Sequence, residues 1–448
     1  MSGTTAAMAE FVAGVDYEEL PQSVIERVKR QCVDLVGVAL AGSSEQAAQI
    51  AVRHASYYSG ETTSTIWGGT TTRAAEAAFA NGIAAHALDY DDFWLPGAHP
   101  TAPILPAAFA VAELKGSTGK ELIAAMLAGY EVMGRLHSAA TVGRNGWHPT
   151  GVYGTLGAAA ACARLLGCTA REVAWAFGIA ASAASGIDAH EGTMTKPFHA
   201  GQAARNGVYA AMLAADGYTA SDEIFDPGHS FFDAFQRGNP VDLWRITAGL
   251  GSTYWIESPG IGIKMQPAGY YMLQTFEAAL QLVTEHDLSP DDIERVEIGV
   301  KPGSRFDRSQ VRTGLEGKFS LQYVATMAIV QRGLDRESFG DKTVFSPDVQ
   351  ATLSKIRTMV DPALPDNRDM NYNPVTITCT DGRSYTAAVA RTRSHWDYPL
   401  TRQEWVGKFM ANAETVFSPG ESAQVLDALE HLEEVTDVRQ AGKLLGRQ

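Results

Sequence analysis

The sequence predicts a mainly helical protein that carries a smaller α+β unit toward its carboxy-terminal side. Three observations predict it: alanine runs such as Ala84-Ala85, Ala107-Ala108 and Ala158-Ala159-Ala160-Ala161, apolar residues at helical spacing through the first half, and alternating apolar and polar residues that begin only beyond Pro259. Alanine gives up least on entering a helix, and a period of two marks a half-buried strand. With 448 residues, 45% of them hydrophobic and 19% charged, the chain has apolar material for a large core and two domains, which argues against disorder.

Taken in order, residues 8–215 read as successive helices, with Val24, Val28, Val33, Val36 and Val38 spaced along one of them. Thr118 with Glu121, and Thr169 with Glu172, mark helix starts, each pairing a threonine cap with a glutamate three residues on. The character changes near Pro259. One more helix is expected over 271–285, a strand over 293–300, an apolar helix over 321–330, and two strands over 375–386 around the Asp381-Gly382 turn. After His395 the chain returns to helix formers, over 405–413 and 423–432, which are placed to pack back on the first domain. No internal repeat or low-complexity linker interrupts this order, and the acidic carboxy-terminal helix reads as a solvated face.

The formal net charge of -15 and the absence of a Lys/Arg cluster make nucleic acid a poor partner. The four cysteines, Cys32, Cys162, Cys168 and Cys379, form no CxxC pair; Cys162 and Cys168 read as buried small hydrophobes, as fits a reducing cytoplasm. The first residues lack a basic segment followed by an apolar one, and nowhere do about 18 uncharged apolar residues run together, so neither export nor membrane spanning is expected.

Three stretches concentrate chemistry. The first is His86-Ala87-Leu88-Asp89-Tyr90-Asp91-Asp92-Phe93-Trp94-Leu95-Pro96-Gly97-Ala98-His99-Pro100-Thr101, which puts carboxylates, imidazoles and aromatics into one segment of an alanine-rich domain. Polar groups are costly to bury unless paired, so such density points to a site. The bland reading is capping, with Asp89, Asp91 and Asp92 ending one helix and His99-Pro100 opening the next. In the second stretch, Arg144-Asn145-Gly146-Trp147-His148-Pro149-Thr150-Gly151, the His-Pro-Thr order recurs, and a histidine just before a helix-opening proline is a rigid place for an acid/base group. In the third, from Ser185 through Lys196-Pro197 to Gly201, Lys196 stands among glycines and hydroxyls where it could close on a carboxylate; an exposed loop lysine is the alternative.

For metals, Asp89-Tyr90-Asp91-Asp92 is an open magnesium alternative, while HExxH, paired Cys/His spacing and DxDxDG loops are absent. No GxGxxG, GxxxxGK[ST] or GxSxG pattern supports a nucleotide, nicotinamide or serine-hydrolase reading.

At these residues the sequence resembles the MmgE/PrpD family, which includes 2-methylcitrate dehydratase, cis-aconitate decarboxylase and iminodisuccinate epimerase. The likeness runs from Ala9-Glu10-Phe11-Val12 through HALDYDD, GWHPTG, GTMTKPFHAGQAARNG and KFSLQYV to Pro399-Leu400 and Lys408-Phe409. It implies a helical domain built from residues 1–259 and 396–448, an inserted α+β lid over 260–395, an active site in the cleft between them and a homodimer. It also implies a metal-independent enzyme with no organic cofactor, acting on a small di- or tricarboxylate. The family's functional positions fall on Asp89, His99, His148, Lys196, Lys264 and Tyr323. Two positions depart from the pattern: the histidine that ordinarily follows the lid-entrance lysine is missing from Lys264-Met265-Gln266-Pro267-Ala268-Gly269-Tyr270-Tyr271-Met272-Leu273, and the decarboxylase-like threonine after DYDD is Phe93.

The chemistry so implied is a carbanion formed beside a carboxylate and stabilised, without a metal, by donors already in place. Lys196 and Lys264 are expected on the substrate carboxylates, His99 and His148 as base and acid in either order, Asp89 as the group orienting an imidazole, and Tyr323 as a donor. A lyase, dehydratase or decarboxylase, is the leading expectation. An epimerase of an iminodisuccinate-like acid follows it, favoured by the loss of the lid histidine as an acid. A non-catalytic carboxylate-binding protein on the same fold is the reading from another class.

Overall fold

The computed structural model describes residues 3–58, 62–95, 97–140, 142–228, 230–365 and 372–447, so Pro96 of the first stretch, and the Arg144 side chain of the second, lie outside it. Helices of ten residues or longer form most of the first half: α1 (Thr4–Gly14), α2 (Gln22–Gly42), α3 (Gln46–Ala55), α4 (Ala74–Ala87), α5 (Thr101–Lys115), α6 (Gly119–Ala139), α7 (Pro149–Leu166), α8 (Ala170–Ala183) and α9 (Thr195–Ala215). A two-stranded ribbon, β1 (Ser64–Thr65) against β2 (Thr71–Thr72), lies between α3 and α4. Both expected threonine–glutamate starts are complete capping boxes, at Thr118 with Glu121 and at Thr169 with Glu172.

The small side chains read from the sequence are what let these helices sit close. α9 packs on both α4 and α7, α5 and α6 pack on α7, and glycines at the crossings leave no room for a Cβ. Added to Gly207, for example, a Cβ would lie 2.4 Å from that of Ala158.

A second core belongs to the later segment, where α10 (Tyr270–Glu285) and α11 (Leu321–Val330) pack on a sheet of order β4-β3-β5-β6. β3 (Ile293–Val300) pairs parallel with β4 (Ile356–Val360) and antiparallel with β5 (Val375–Cys379), which forms a hairpin with β6 (Ser384–Ala387). Along β3 the inward residues are Ile293, Val296, Ile298 and Val300, the alternation that betrayed the strand in the sequence.

The chain then returns as α12 (Arg402–Ala413) and α13 (Pro419–Glu430), whose Phe409, Val425 and Leu429 join the helical core. Lys408 on α12 is buried against Asp34 of α2, with Nζ 2.6 Å from Oδ1. Removing one partner of such a buried pair generally costs about 3–5 kcal/mol, so this contact holds the returning segment in a defined position. No helix among the described residues is long and apolar enough to cross a membrane.

Candidate active site

The site is organised around the turn that ends α4. Its last carbonyls form the negative pole of the helix and need donors, and Asp89 follows them with φ of +51°, a left-handed conformation that a short polar residue tolerates. Ammonium groups from distant elements supply the donors. Lys318, just before α11, donates to the carbonyl of Leu88 at 3.0 Å and of Ala87 at 3.4 Å; Lys264 donates to that of Asp89 at 2.8 Å, and Lys408 to that of Tyr90 at 2.9 Å. The Asp89 carboxylate takes Lys196, at the start of α9, at 2.9 Å on one oxygen and Lys264 on the other. Next along the chain, Phe93 exchanges backbone hydrogen bonds of 2.9 and 3.1 Å with Gly262, where a Cβ would stand 2.3 Å from the Phe93 ring. Glycine alone permits that approach between the helical domain and the lid.

Three imidazoles surround this turn, and the partners of His86 and His99 fix the tautomers of those two. His86 donates through Nδ1 to Asp91 at 2.8 Å, so its Nε2 accepts from Lys196 at 2.9 Å. His99 donates through Nδ1 to the carbonyl of Asp92 at 2.8 Å; a carbonyl can only accept, so the lone pair of His99 is on Nε2. The His148 backbone donates to Gly186 at 2.9 Å, and its Nδ1 shares a hydrogen bond of 3.1 Å with Nδ1 of His199. The rings of His99 and His148 stand 4.5 and 5.9 Å from that of His86, centroid to centroid.

Burial and neighbouring charge set the ionisation. Burial alone would raise the Asp89 carboxyl, but Lys196, Lys264 and two imidazoles outweigh it and hold this group well below the usual carboxylate range. Asp91 is likewise held low, by His86 and His99 against burial. Asp92 goes the other way, pushed well up by burial and by Asp91, and it receives the Thr101 amide and hydroxyl at the start of α5. Burial, followed by Lys196, drives His148 well below an ordinary imidazole. His99 is lowered by burial and the two ammonium groups, with Asp91 opposing. Burial lowers Lys318 to about 8.

A cavity of about 270 Å³ opens between the helical domain and the lid. Asp89, His99, His148 and Lys196 line its polar side; Phe93, Trp94, Tyr270, Phe306 and Phe319 line the rest; Arg305 stands at the lid side, paired with Asp188 and with Glu191. Burial raises Glu191 to about 7.

Two expectations change. Lys264 is fully buried behind Asp89 and does not line the cavity, because the aspartate and its carbonyl take up its ammonium. Tyr323 is also fully buried: its hydroxyl donates to the Ser338 carbonyl at 2.5 Å inside the lid core, away from the cavity. The departures from the family pattern fall at the site itself, since Phe93 stacks on Tyr270 at 4.2 Å on the cavity wall and Gly269 lines it, while Leu273 is buried in the lid. His86, His199, Lys318, Lys408 and Arg305 carried no assigned role in the sequence. His86, His199, Lys318 and Lys408 did lie within the quoted motifs, and Arg305 lay outside them. The open magnesium alternative finds the Asp89 and Asp92 carboxylates already engaged. His86, Asp91 and His99 place ligand atoms within 4.8 Å of one another, a donor set suited to a transition metal, but their facing nitrogens are already hydrogen-bonded to Asp91 and to the Asp92 carbonyl.

Known proteins resemble this chain over nearly its whole length. Residues 6–243 match the MmgE/PrpD N-terminal domain, and residues 267–434 match the MmgE/PrpD C-terminal domain. The cis-aconitate decarboxylase of Mus musculus is 31% identical, over 99% of this chain and 94% of its own. That of Homo sapiens is 30% identical over 98% and 93%, and that of Aspergillus terreus 26% over 99% and 96%.

The lowered imidazoles give a pH signature. A depressed pKa keeps His99 and His148 neutral below the ordinary midpoint of about 6.5. The unfolded chain takes up those protons at about pH 6.5, so stability falls as pH drops below that value. NMR of histidine-labelled protein should show the ring resonances of both residues titrating below pH 6.5; a midpoint at or above it contradicts the assignment.

Proposed function

The chain belongs to the MmgE/PrpD family, and on that premise we propose that it is a cytoplasmic, cofactor-independent lyase. In this reading it decarboxylates a small polycarboxylic acid of the cis-aconitate type through a carbanion beside a carboxylate. The observation that carries the reading is the convergence of Lys196, His99 and His148 on one cavity that they share with Phe93, Trp94, Tyr270, Phe306 and Phe319. Lys196 takes a substrate carboxylate and offsets developing charge. A second carboxylate held toward Phe93 and Tyr270, away from Lys196 and from Arg305, which is already paired with Asp188 and Glu191, lacks a counter-ion of its own, which favours its loss as carbon dioxide over its retention. The electron pair left behind is spread into the retained carboxylate and is quenched by a proton from Nε2 of His148. His99, whose lone pair is on Nε2, is the base where a substrate loses a proton in place of carbon dioxide, so that decarboxylation itself takes up a single proton, from His148. The absence of a histidine at Gly269 and the presence of Phe93 shape substrate choice rather than this proton chemistry.

The purified protein, dialysed against a chelator, is offered cis-aconitate, trans-aconitate, citrate, 2-methylcitrate and iminodisuccinate in deuterated water and followed by NMR. Carbon dioxide release with one deuterium placed in the product is the expected result. His148→Gln and Lys196→Met should each lower turnover by at least about a hundredfold, the usual worth of a placed acid/base group. Near-normal rates in folded variants contradict the roles, and solvent exchange without net product assigns the epimerase instead. Binding with neither assigns a carboxylate-binding protein.

The assembly in this reading is a homodimer. Phe198, Tyr209 and Leu213 leave large apolar surface exposed along α9, and Tyr58 adjoins them through Arg205, which lies over both the Tyr58 and Tyr209 rings. Exposed apolar patches of this kind usually mark contact surfaces. Sedimentation equilibrium should give twice the chain mass for the wild type and the single mass for a Tyr209→Arg, Leu213→Arg variant; a monomeric wild type contradicts the assembly.

A further inference from the structure

Among the buried titratable groups that the mechanism leaves unused, one touches the proposed donor. His199, on the second turn of α9, is 6% exposed, and its Nδ1 meets Nδ1 of His148 at 3.1 Å. Its ring stands 5.9 Å from that of half-buried His190, on the outer side of the site. Gly186 builds the slot: with φ of +123° it accepts the His148 backbone amide, and a Cβ there would lie 3.2 Å from Cγ of His199. The charged and titratable groups that act on His199 are His86, His190 and Lys196, with no carboxylate among them. Two neutral rings joined nitrogen to nitrogen must divide the roles, one donating and one accepting.

The geometry points to His199, with His190 beyond it, as a proton path that connects His148 to solvent while the cavity is closed over substrate. This rests on the reading that His148 donates the proton. In the step, Nε2–H of His148 is transferred to the substrate carbon, and the Nδ1–H of His199 moves to Nδ1 of His148. A solvent proton arrives at Nε2 of His199, directly or by way of His190. One proton enters and one leaves, and both imidazoles end neutral, as their lowered pKa values require, with His199 held at about 4. Once product has left, exchange with water in the open cavity returns both rings to their starting tautomers.

Such a path matters to a decarboxylase because replacing a carboxylate by hydrogen consumes a proton in every turnover. His199 acts through His148 and is a positioning and relay residue, so its test needs a readout that a structural role would not move. With the panel acid that the wild type turns over fastest, His199→Gln should lower kcat by roughly tenfold or more at unchanged KM. Added imidazole should restore part of that loss in proportion to its concentration, with no effect on the wild type. His148→Gln should lose turnover and gain nothing from imidazole. A His199→Gln enzyme that is folded by circular dichroism and keeps its kcat overturns the path, and so does a loss of kcat that imidazole does not relieve. Retained activity in His148→Gln, or no turnover of any panel acid by the wild type, instead removes the underlying reading, and the path with it.

Discussion

A carboxylate buried at the end of a helix cannot stand without cations, and Asp89 is such a group. Its two oxygens and the carbonyls on either side of it draw in Lys196, Lys264, Lys318 and Lys408 from α9, the lid entrance, the lid interior and the returning carboxy-terminal helix. These segments have little else in common. Each ammonium must find an acceptor as it leaves water, and the acceptors are concentrated on one turn, so burial of the four side chains and assembly of the two domains are one event. The cavity exists because of that assembly. Only Lys196 among the four reaches it, which leaves a single ammonium to meet substrate while the others hold its surroundings.

The same turn sets the proton chemistry. Asp91 and the Asp92 carbonyl, a few residues on, take the Nδ1–H groups of His86 and His99, so the tautomer of the base at His99 is set by a backbone carbonyl, with the Asp91 carboxylate 3.3 Å from the same nitrogen. His148 has no acid beside it and is tied to another imidazole instead. A neutral base and a neutral donor lining one small cavity can move protons without building net charge in a place where charge is costly.

Much of the fold could be read from the residues. The strand over 293–300 and the helix over 321–330 were found at the expected bounds, because apolar period and flanking turns were unambiguous there. The last helices began earlier than hydrophobicity suggested, at Arg402 and Pro419, because capping boxes at Thr401 with Glu404 and at Ser418 with Glu421 start them ahead of their apolar faces. β4 escaped notice because only Ile356 of its five residues is buried. For the site, Asp89, His99, His148 and Lys196 stood out as polar residues in apolar or glycine-rich segments. Lys318 and Lys408 were legible as parts of the KFSLQYV and Lys408-Phe409 motifs, but the role of a lysine beside a hydrophobic run is not readable until its acceptor, more than two hundred residues away, is in view. Tyr323 was legible as part of a motif, but a motif does not say which way a hydroxyl turns, and this one turns into the lid core.

The most direct test of this dependence on Asp89 is hydrogen–deuterium exchange, followed by mass spectrometry, on Asp89→Asn beside the wild type. Removing the negative charge leaves Lys196 and Lys264 buried without a counter-ion. The account predicts faster exchange both in peptides covering 84–93 and in lid peptides containing Lys264 and Lys318, with α8 unaffected. Faster exchange confined to 84–93, with the lid as protected as before, would show that the two domains hold together without this turn.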